Sequence, residues 1–302
     1  MKEKTEVRIQ ELKRTVRIVI NSPLGIIGAV IITLVLVNLI LSPFIVPYDP
    51  IKTDITGRMR PPSGAHWLGT DSVGRDVLSR VLTGSTYSLA AAAGVVIVCV
   101  FFGSLVGLIA GYPGKRFGEY LMRITDIFLA FPTLILAIAL ASTLGPSFLN
   151  AIIAISVIYW PKYARLVFSQ ALSLKEQDFV KNAEVLHESA GRIRLRHILP
   201  NCVSILIVQA TFDFGDTILY CAALSFLGLG AQPPAPDWGA MIAFAQDNMM
   251  IAWWMAVFPG IAIFFTVMGF NLLGDSLRDA LDPRLRHSLA MRRIRLLPRL
   301  GK

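Results

Sequence analysis

Asp213 and Asp216 stand three residues apart inside a run, residues 203–229, that carries no other charge. At helical spacing the two carboxylates share one face. An ionised group at the centre of a bilayer costs roughly 2.5–3.5 kcal/mol on the insertion scale, so both must point into a bundle or a wet cavity. Two uses stay open. Asp216 contacts a cationic part of a ligand, or the pair makes hydrogen-bonded structural contacts with the third or fourth span or with a partner chain. Asp126 opens another apolar run with Arg123 one turn before it, which reads as a structural ion pair. Nothing else in the chain reads as reaction chemistry. No serine, cysteine or lysine is set beside a base, and neither HExxH nor GxSxG occurs. His66, His187, His197 and His287 are scattered, and Cys99, Cys202 and Cys221 are an odd, unclustered set in or beside apolar runs. The sequence therefore supports no catalytic residues, no metal site and no disulfide framework.

The elements that position those aspartates follow from composition. The 302 residues are 54% hydrophobic and only 16% charged, and their mean hydropathy is +0.61. A soluble domain carries about 25% charged residues, and a bilayer-crossing helix needs about 20 apolar ones. Six such runs are read, at about 24–46, 87–111, 124–143, 148–166, 203–229 and 252–275. The first follows a basic start but is too long for a cleavable signal, and no small-x-small site follows it. With the amino terminus inside, the inner segments hold 24 of the 29 Lys and Arg and the outer ones 5. By the positive-inside rule both termini are cytoplasmic. The net charge of +9 is then a topology signal and not a nucleic-acid signature. Four segments result: a cytoplasmic start at 1–23, the first helix with its outer loop at 24–86, a five-helix core at 87–275, and a basic cytoplasmic tail at 276–302. The tail from Met291 either lies on the membrane surface or is solvated. Pro132, Pro161 and Pro259 fall within spans and should break or kink them. Trp160, Trp253 and Trp254 suit interfacial anchors.

Two connections are too long to be simple turns. The inner one covers 169–201. Ser173-Leu-Lys-Glu176 has a capping-box pattern, and Phe179, Val180, Ala183, Leu186 and Ala190 follow as one apolar stripe. Gly191 should interrupt this helix, and Pro200 should open the next span. The segment is either a knob for a cytoplasmic partner or a helix lying on the inner leaflet. In the outer loop, Thr70 or Asp71 should cap a helix with Val73, Val77, Leu78, Val81 and Leu82 on its apolar face. Asp71, Arg75, Asp76 and Arg80 would then sit on its wetter side as ion pairs. This reads as a structural clamp.

The inner segment, ending in Gly191 and then His197-Ile-Leu-Pro200, resembles the "EAA" loop of importer-type ABC permeases. The outer stretch Leu68-Gly-Thr-Asp-Ser-Val-Gly-Arg-Asp76-Val-Leu-Ser-Arg80 is similar to an amino-terminal signature of one branch. So are Leu224-Ser-Phe-Leu-Gly-Leu-Gly230, Pro233-Pro-Ala-Pro-Asp-Trp-Gly-Ala-Met241 and Asn271-Leu-Leu-Gly-Asp-Ser-Leu-Arg-Asp-Ala-Leu-Asp-Pro283. In order, from about Pro23 to Arg286, they resemble the C-type permease of dipeptide, oligopeptide and nickel importers.

That resemblance implies an all-α integral membrane protein with six transmembrane helices, the type I importer permease fold and a cytoplasmic coupling helix. It implies a bacterial inner-membrane location, a second homologous permease, two cytoplasmic ATPases, and a periplasmic or lipid-anchored solute-binding protein. Asp178, Phe179, Val180, Ala183, Leu186, His187, Gly191, His197 and Pro200 would form the ATPase-binding segment, and Gly69, Thr70, Asp71, Gly74, Arg75 and Asp76 the outer motif. Asp213 and Asp216 are candidates for the ligand pathway, Asp216 facing a peptide ammonium or a metal chelate. The chain binds no cofactor of its own, since it lacks the phosphate loop GxxxxGK[ST]; ATP and Mg would be used by the ATPases. One departure stands out. The matching stretch reads Lys181-Asn182-Ala183 in place of Glu-Ala-Ala, and His187 occupies a position where the family has glycine. Gly191 is expected to move the bend by one turn. The competing reading is a self-contained ion-coupled carrier using Asp213 and Asp216, against which no internal repeat is found.

Overall fold

The computed structural model of the chain describes residue 16 and residues 18–112 and 115–281. The tail read from Met291 lies outside the described residues. Among the described residues every regular element is helical, and an isolated bridge joins Thr70 to Asp76. Helix α1 (Pro23–Ile45) starts where Ser22 accepts from the Gly25 amide at 3.3 Å and Pro23 takes the first turn. It is apolar all round, and only 17% of its most apolar stretch is buried within the chain, so most of its surface is open to a non-aqueous neighbour.

The centre of the molecule is the pair α2 (Val77–Gly111) and α5 (Phe148–Lys175). Gly103, Gly107 and Gly111 form a stripe along α2. A Cβ on Gly103 would stand 2.6 Å from the Trp160 carbonyl, and one on Gly107 2.5 Å from that of Ala164. Without side chains there, the two backbones approach closely, which is how helices associate where no hydrophobic force drives them. Tyr163, Val167, Ala171 and Cys99 are buried along this seam. Cys202 and Cys221 are also buried, and all three cysteines are free, packing as small hydrophobes.

The remaining spans differ in instructive ways from the sequence reading. The run at 124–143 is two helices, α3 (Lys115–Leu129) and α4 (Thr133–Leu144), bent by 87°. The break falls at Pro132 as expected: with no amide to continue the ladder, the chain turns there and restarts. With this bent pair counted as one, six spans among the described residues are long and apolar enough to cross a membrane; α2, α5, α8 (Leu199–Phe226), α10 (Trp254–Leu281) and α1 supply the other five. The helices run on through Pro161 and Pro259. Neighbouring helices in a bundle satisfy the carbonyls that an internal proline leaves free. Asp126 pairs with Arg165 of α5 and not with Arg123, because the partner reaches it from the packed neighbour. Trp160 is wedged between Phe102 and Phe128, and Trp254 is buried, so only Trp253 keeps an anchor's exposure.

Helix α2 begins ten residues before the span read at 87–111. Its cap is Asp76, which accepts from the Ser79 amide at 2.8 Å; Thr70 and Asp71 lie in the preceding loop and cap nothing helical. Val77, Leu78, Val81 and Leu82 are thus the first turns of α2 itself, and Val73 precedes them in the loop. No proline or other break separates this amphipathic start from the apolar run, so both form one helix of 35 residues. At about 1.5 Å per residue it is about 52 Å long and joins the two ends of the bundle.

Candidate functional site

At mid-bundle, Lys162 of α5 reaches across to α8, its Nζ 2.6 Å from Asp213 Oδ1. Gln209 Nε2 donates to the same oxygen at 3.0 Å. Asp213 is fully buried, and the Tyr163 hydroxyl lies against its carboxylate. The lysine also stands 5.5 Å from the Tyr159 ring, which meets Tyr220 edge-on. The spacing of Asp213 and Asp216 pointed to this face, but it did not show that they differ. Asp213 is neutralised by a lysine, as a buried carboxylate requires. Asp216, one turn on, is half-buried and feels Lys162 only through space. Lys162 was missed because the span read at 148–166 put it at the membrane edge. The signal was the absence of any proline or glycine from residue 162 to residue 175: α5 stays helical to Lys175, which puts residue 162 at its middle.

Below α5 the chain forms a hairpin. Helix α6 (Asp178–Val185) starts after Gln177 without a side-chain cap. The expected capping box is not formed, because Ser173 is still inside α5; Glu176 instead pairs with Lys181 at 3.3 Å. The end of α6 is a Schellman turn, with His187 N–H donating to Glu184 O at 2.9 Å and Glu188 N–H to Ala183 O at 3.1 Å. His187 sits at its left-handed position with φ +56°. The bend therefore stays where the family places glycine, at a cost of about 1–2 kcal/mol for a side chain in that region. Gly191 relocates nothing and lies inside α7 (Ala190–Ile193), which Ser189 caps. A π-helical turn, Arg194–Ile198, then leads into α8, with Pro200 in its first turn.

The stripe read along α6 divides in two. Val180 and Ala183 are buried with Tyr112, Ala171, Ile193 and Ile198, rooting the hairpin in the bundle. Burial, and after it the neighbouring Glu184 carboxylate of α6, pushes the Tyr112 hydroxyl up to about 12. On the return, His197 Nε2 lies 3.1 Å from Glu188 Oε2, and the His197 ring is 6.5 Å from that of Phe179. Leu186 does not join the buried side. It is 75% exposed at the tip beside Val185, 74% exposed, with Asp178 and His187 also open. The loop turns sharply after α6, and this carries residue 186 off the inward face.

The opposite end of α2 carries a cap of another kind. Asp71, Arg75, Asp76 and Arg80 are all buried, not on a wet face. Asp71 Oδ2 accepts from Arg75 Nε at 2.6 Å, and its Oδ1 accepts the Val73 and Arg75 amides at 2.9 Å. Arg80 Nη1 donates to the carbonyls of Pro50 at 2.8 Å and Pro234 at 3.3 Å, joining two distant segments. Asp76 Oδ1 lies 2.9 Å from His66 Nδ1. Thr70 Oγ1 donates to Gly57 O, and Thr70 O accepts from Trp254 Nε1 at 3.1 Å. Gly69 and Gly74 have φ of +75° and +82°, and a Cβ on Gly74 would collide with the Asp54 backbone. Further along, Asp237 caps α9 (Trp238–Ala245) and accepts from Ser88 at 3.1 Å. The signature residues thus build a clamp. Among the described residues no three His, Cys, Asp or Glu gather where a metal ion would be held.

A helical membrane bundle with a rooted, protruding hairpin and a charged seam between two spans has the make-up of a transport subunit. Residues 103–287 match the family of binding-protein-dependent transport system inner membrane components. The chain belongs to that family and is a permease subunit of an ATP-binding-cassette importer. It is 47% identical over 264 residues to the probable D,D-dipeptide transport system permease protein DdpC of Escherichia coli (strain K12), covering 87% of this chain and 89% of that one. It is 44% identical over 266 residues to the dipeptide transport system permease protein DppC of Alkalihalophilus pseudofirmus, covering 88% of each. The glutathione transport system permease protein GsiD of Pectobacterium atrosepticum is 45% identical over 244 residues, covering 80% and 81%. In fold, the chain resembles an inward-facing structure of the MetNI methionine ABC transporter, with a TM-score of 0.54 and 18% identity, over 68% of this chain and 98% of that one.

Proposed function

We propose that the chain forms half of the pore of an importer for peptides or peptide-sized ligands. A second homologous permease supplies the other half, and two cytoplasmic ATPases hydrolyse ATP with Mg. A binding protein delivers ligand to the cap end, and both termini lie in the cytoplasm. The relatives named for dipeptide and glutathione transport support the ligand class. The observation that carries the coupling role is the hairpin: buried Val180 and Ala183 fix it to the bundle, while Val185 and Leu186 stand exposed at its tip. Two apolar side chains so placed suit a cleft on a partner protein.

Because the hairpin joins α5 directly to α8, a push on its tip is delivered to both helices that hold the charged seam. The two states of the pore then differ in how the ATPases grip one rigid lever. Ala183 is part of the root, so the side chain to change is at the tip. Leu186→Arg, in proteoliposomes holding the whole complex, is expected to lower ATP-driven uptake of a mixed di- and tripeptide pool about tenfold or more. Insertion and folding should be unchanged. Wild-type uptake by this variant would sink the docking assignment. The ion-coupled carrier finds no support in the seam, since Asp213 already has its cation in Lys162.

A further inference from the structure

Between α5, α8 and the end of α10 lies a cavity of about 550 Å³, open to one side. That volume falls in the range of ligand sites, about 300–1,000 Å³. Its lining is mixed. Leu166, Val208 and Phe212 give it apolar walls, and polar groups come from Gln170, Asn201, Ser204 and Gln209. Among the described residues one lining side chain is charged: Arg278, an exposed residue on the last turns of α10. Among the described residues no carboxylate lies within ion-pair distance of Arg278, and no carboxylate lines the cavity. Gln209 links the cavity to the seam, because the same amide donates to Asp213 at 3.0 Å.

We propose that this cavity is an inner vestibule that holds the carboxylate end of the transported ligand, with Arg278 as the residue that recognises it. The proposal rests on the peptide reading above and adds to it a polarity. Asp216, nearer mid-span, offers negative charge, and Arg278, toward the end of α10, offers positive charge. From residue 216 back to 205 along α8 is about 16 Å at 1.5 Å per residue, room for an extended short peptide. A zwitterion drawn inward thus meets an anionic and then a cationic group. The guanidinium presents a planar fork of donors that fits a carboxylate in two-point contact, and the neighbouring amides and hydroxyl can take the adjoining peptide groups.

The test uses the assembled complex in proteoliposomes with its binding protein, and a pool of tripeptides bearing free carboxylates, each quantified by mass spectrometry. Arg278→Gln is expected to lower initial uptake about tenfold, the scale of one charge-assisted hydrogen bond. Arg278→Lys, which keeps the charge but not the fork, should restore part of it. ATP hydrolysis should stay within about twofold of wild type in both variants, because a gripped hairpin does not need the ligand's carboxylate. Equal uptake by wild type and Arg278→Gln overturns the vestibule and leaves the peptide reading intact. Loss of uptake together with ATP hydrolysis in both variants also overturns it, since Arg278 then supports the assembly. Failure of wild type to take up any member of the pool overturns the peptide reading and this inference with it.

Discussion

Lys162 and Asp213 show how a single contact makes a buried charge tolerable between two spans. Asp213 has no exposure, so its charge is tolerable only with the lysine and Gln209 in place. Removing Lys162 strands the carboxylate. Lys162→Met should destabilise the folded bundle by about 3 kcal/mol, the low end for a broken buried pair because the lysine keeps contact with solvent. The double variant Lys162→Met with Asp213→Asn should regain most of that loss. Thermal unfolding of the four members of this cycle measures the coupling, and simple additivity would show that the pair carries nothing. The aspartates' shared face was legible from their three-residue spacing, and the need for a partner from their depth. Their unequal roles were not, since the deciding side chain lies 51 residues away on another helix. Likewise the burial of Arg80 could not be read locally: its guanidinium is held by carbonyls from residues 50 and 234.

The α2–α5 pair is the element on which both ends of the molecule depend. One end of α2 carries the clamp, and just beyond the other, Tyr112 packs on the hairpin root. Their close approach rests on Gly103, Gly107 and Gly111, whose missing side chains let α5 in. Gly107→Leu should force the helices apart and cost about 1–3 kcal/mol, the usual range for overpacking. It should appear as a lower unfolding temperature and reduced yield of inserted protein; an unchanged midpoint would mean that the glycines do not set the packing. Most spans were legible in their apolar length, and the hairpin in its position between two of them. Helix ends were harder. The break in the run at 124–143 was legible in Pro132, but its angle of 87° was not, because hydropathy carries no direction. The capping box at Ser173 was a sound local pattern overridden by α5, which simply continues through it. At His187 the family pattern located the turn better than side-chain preference did, since three hydrogen-bonded residues of the Schellman turn hold the histidine where glycine would be easier.

At the scale of the whole molecule, the bundle is a lever with a hairpin at one end, a clamp at the other and a charged seam between. On the function proposed above, the chain's own residues would bind ligand and transmit motion, with the energy supplied by partners docked on the hairpin. This makes the assembly the central claim. Its most direct test is to extract the tagged full-length chain from its native membranes in mild detergent, identify what accompanies it by mass spectrometry, and assay ATP hydrolysis. The expected result is recovery with a second, homologous permease and ATPase subunits, with the Leu186→Arg variant losing the ATPases while keeping the permease. Recovery of the chain alone, together with uptake driven by an ion gradient without ATP, would contradict it.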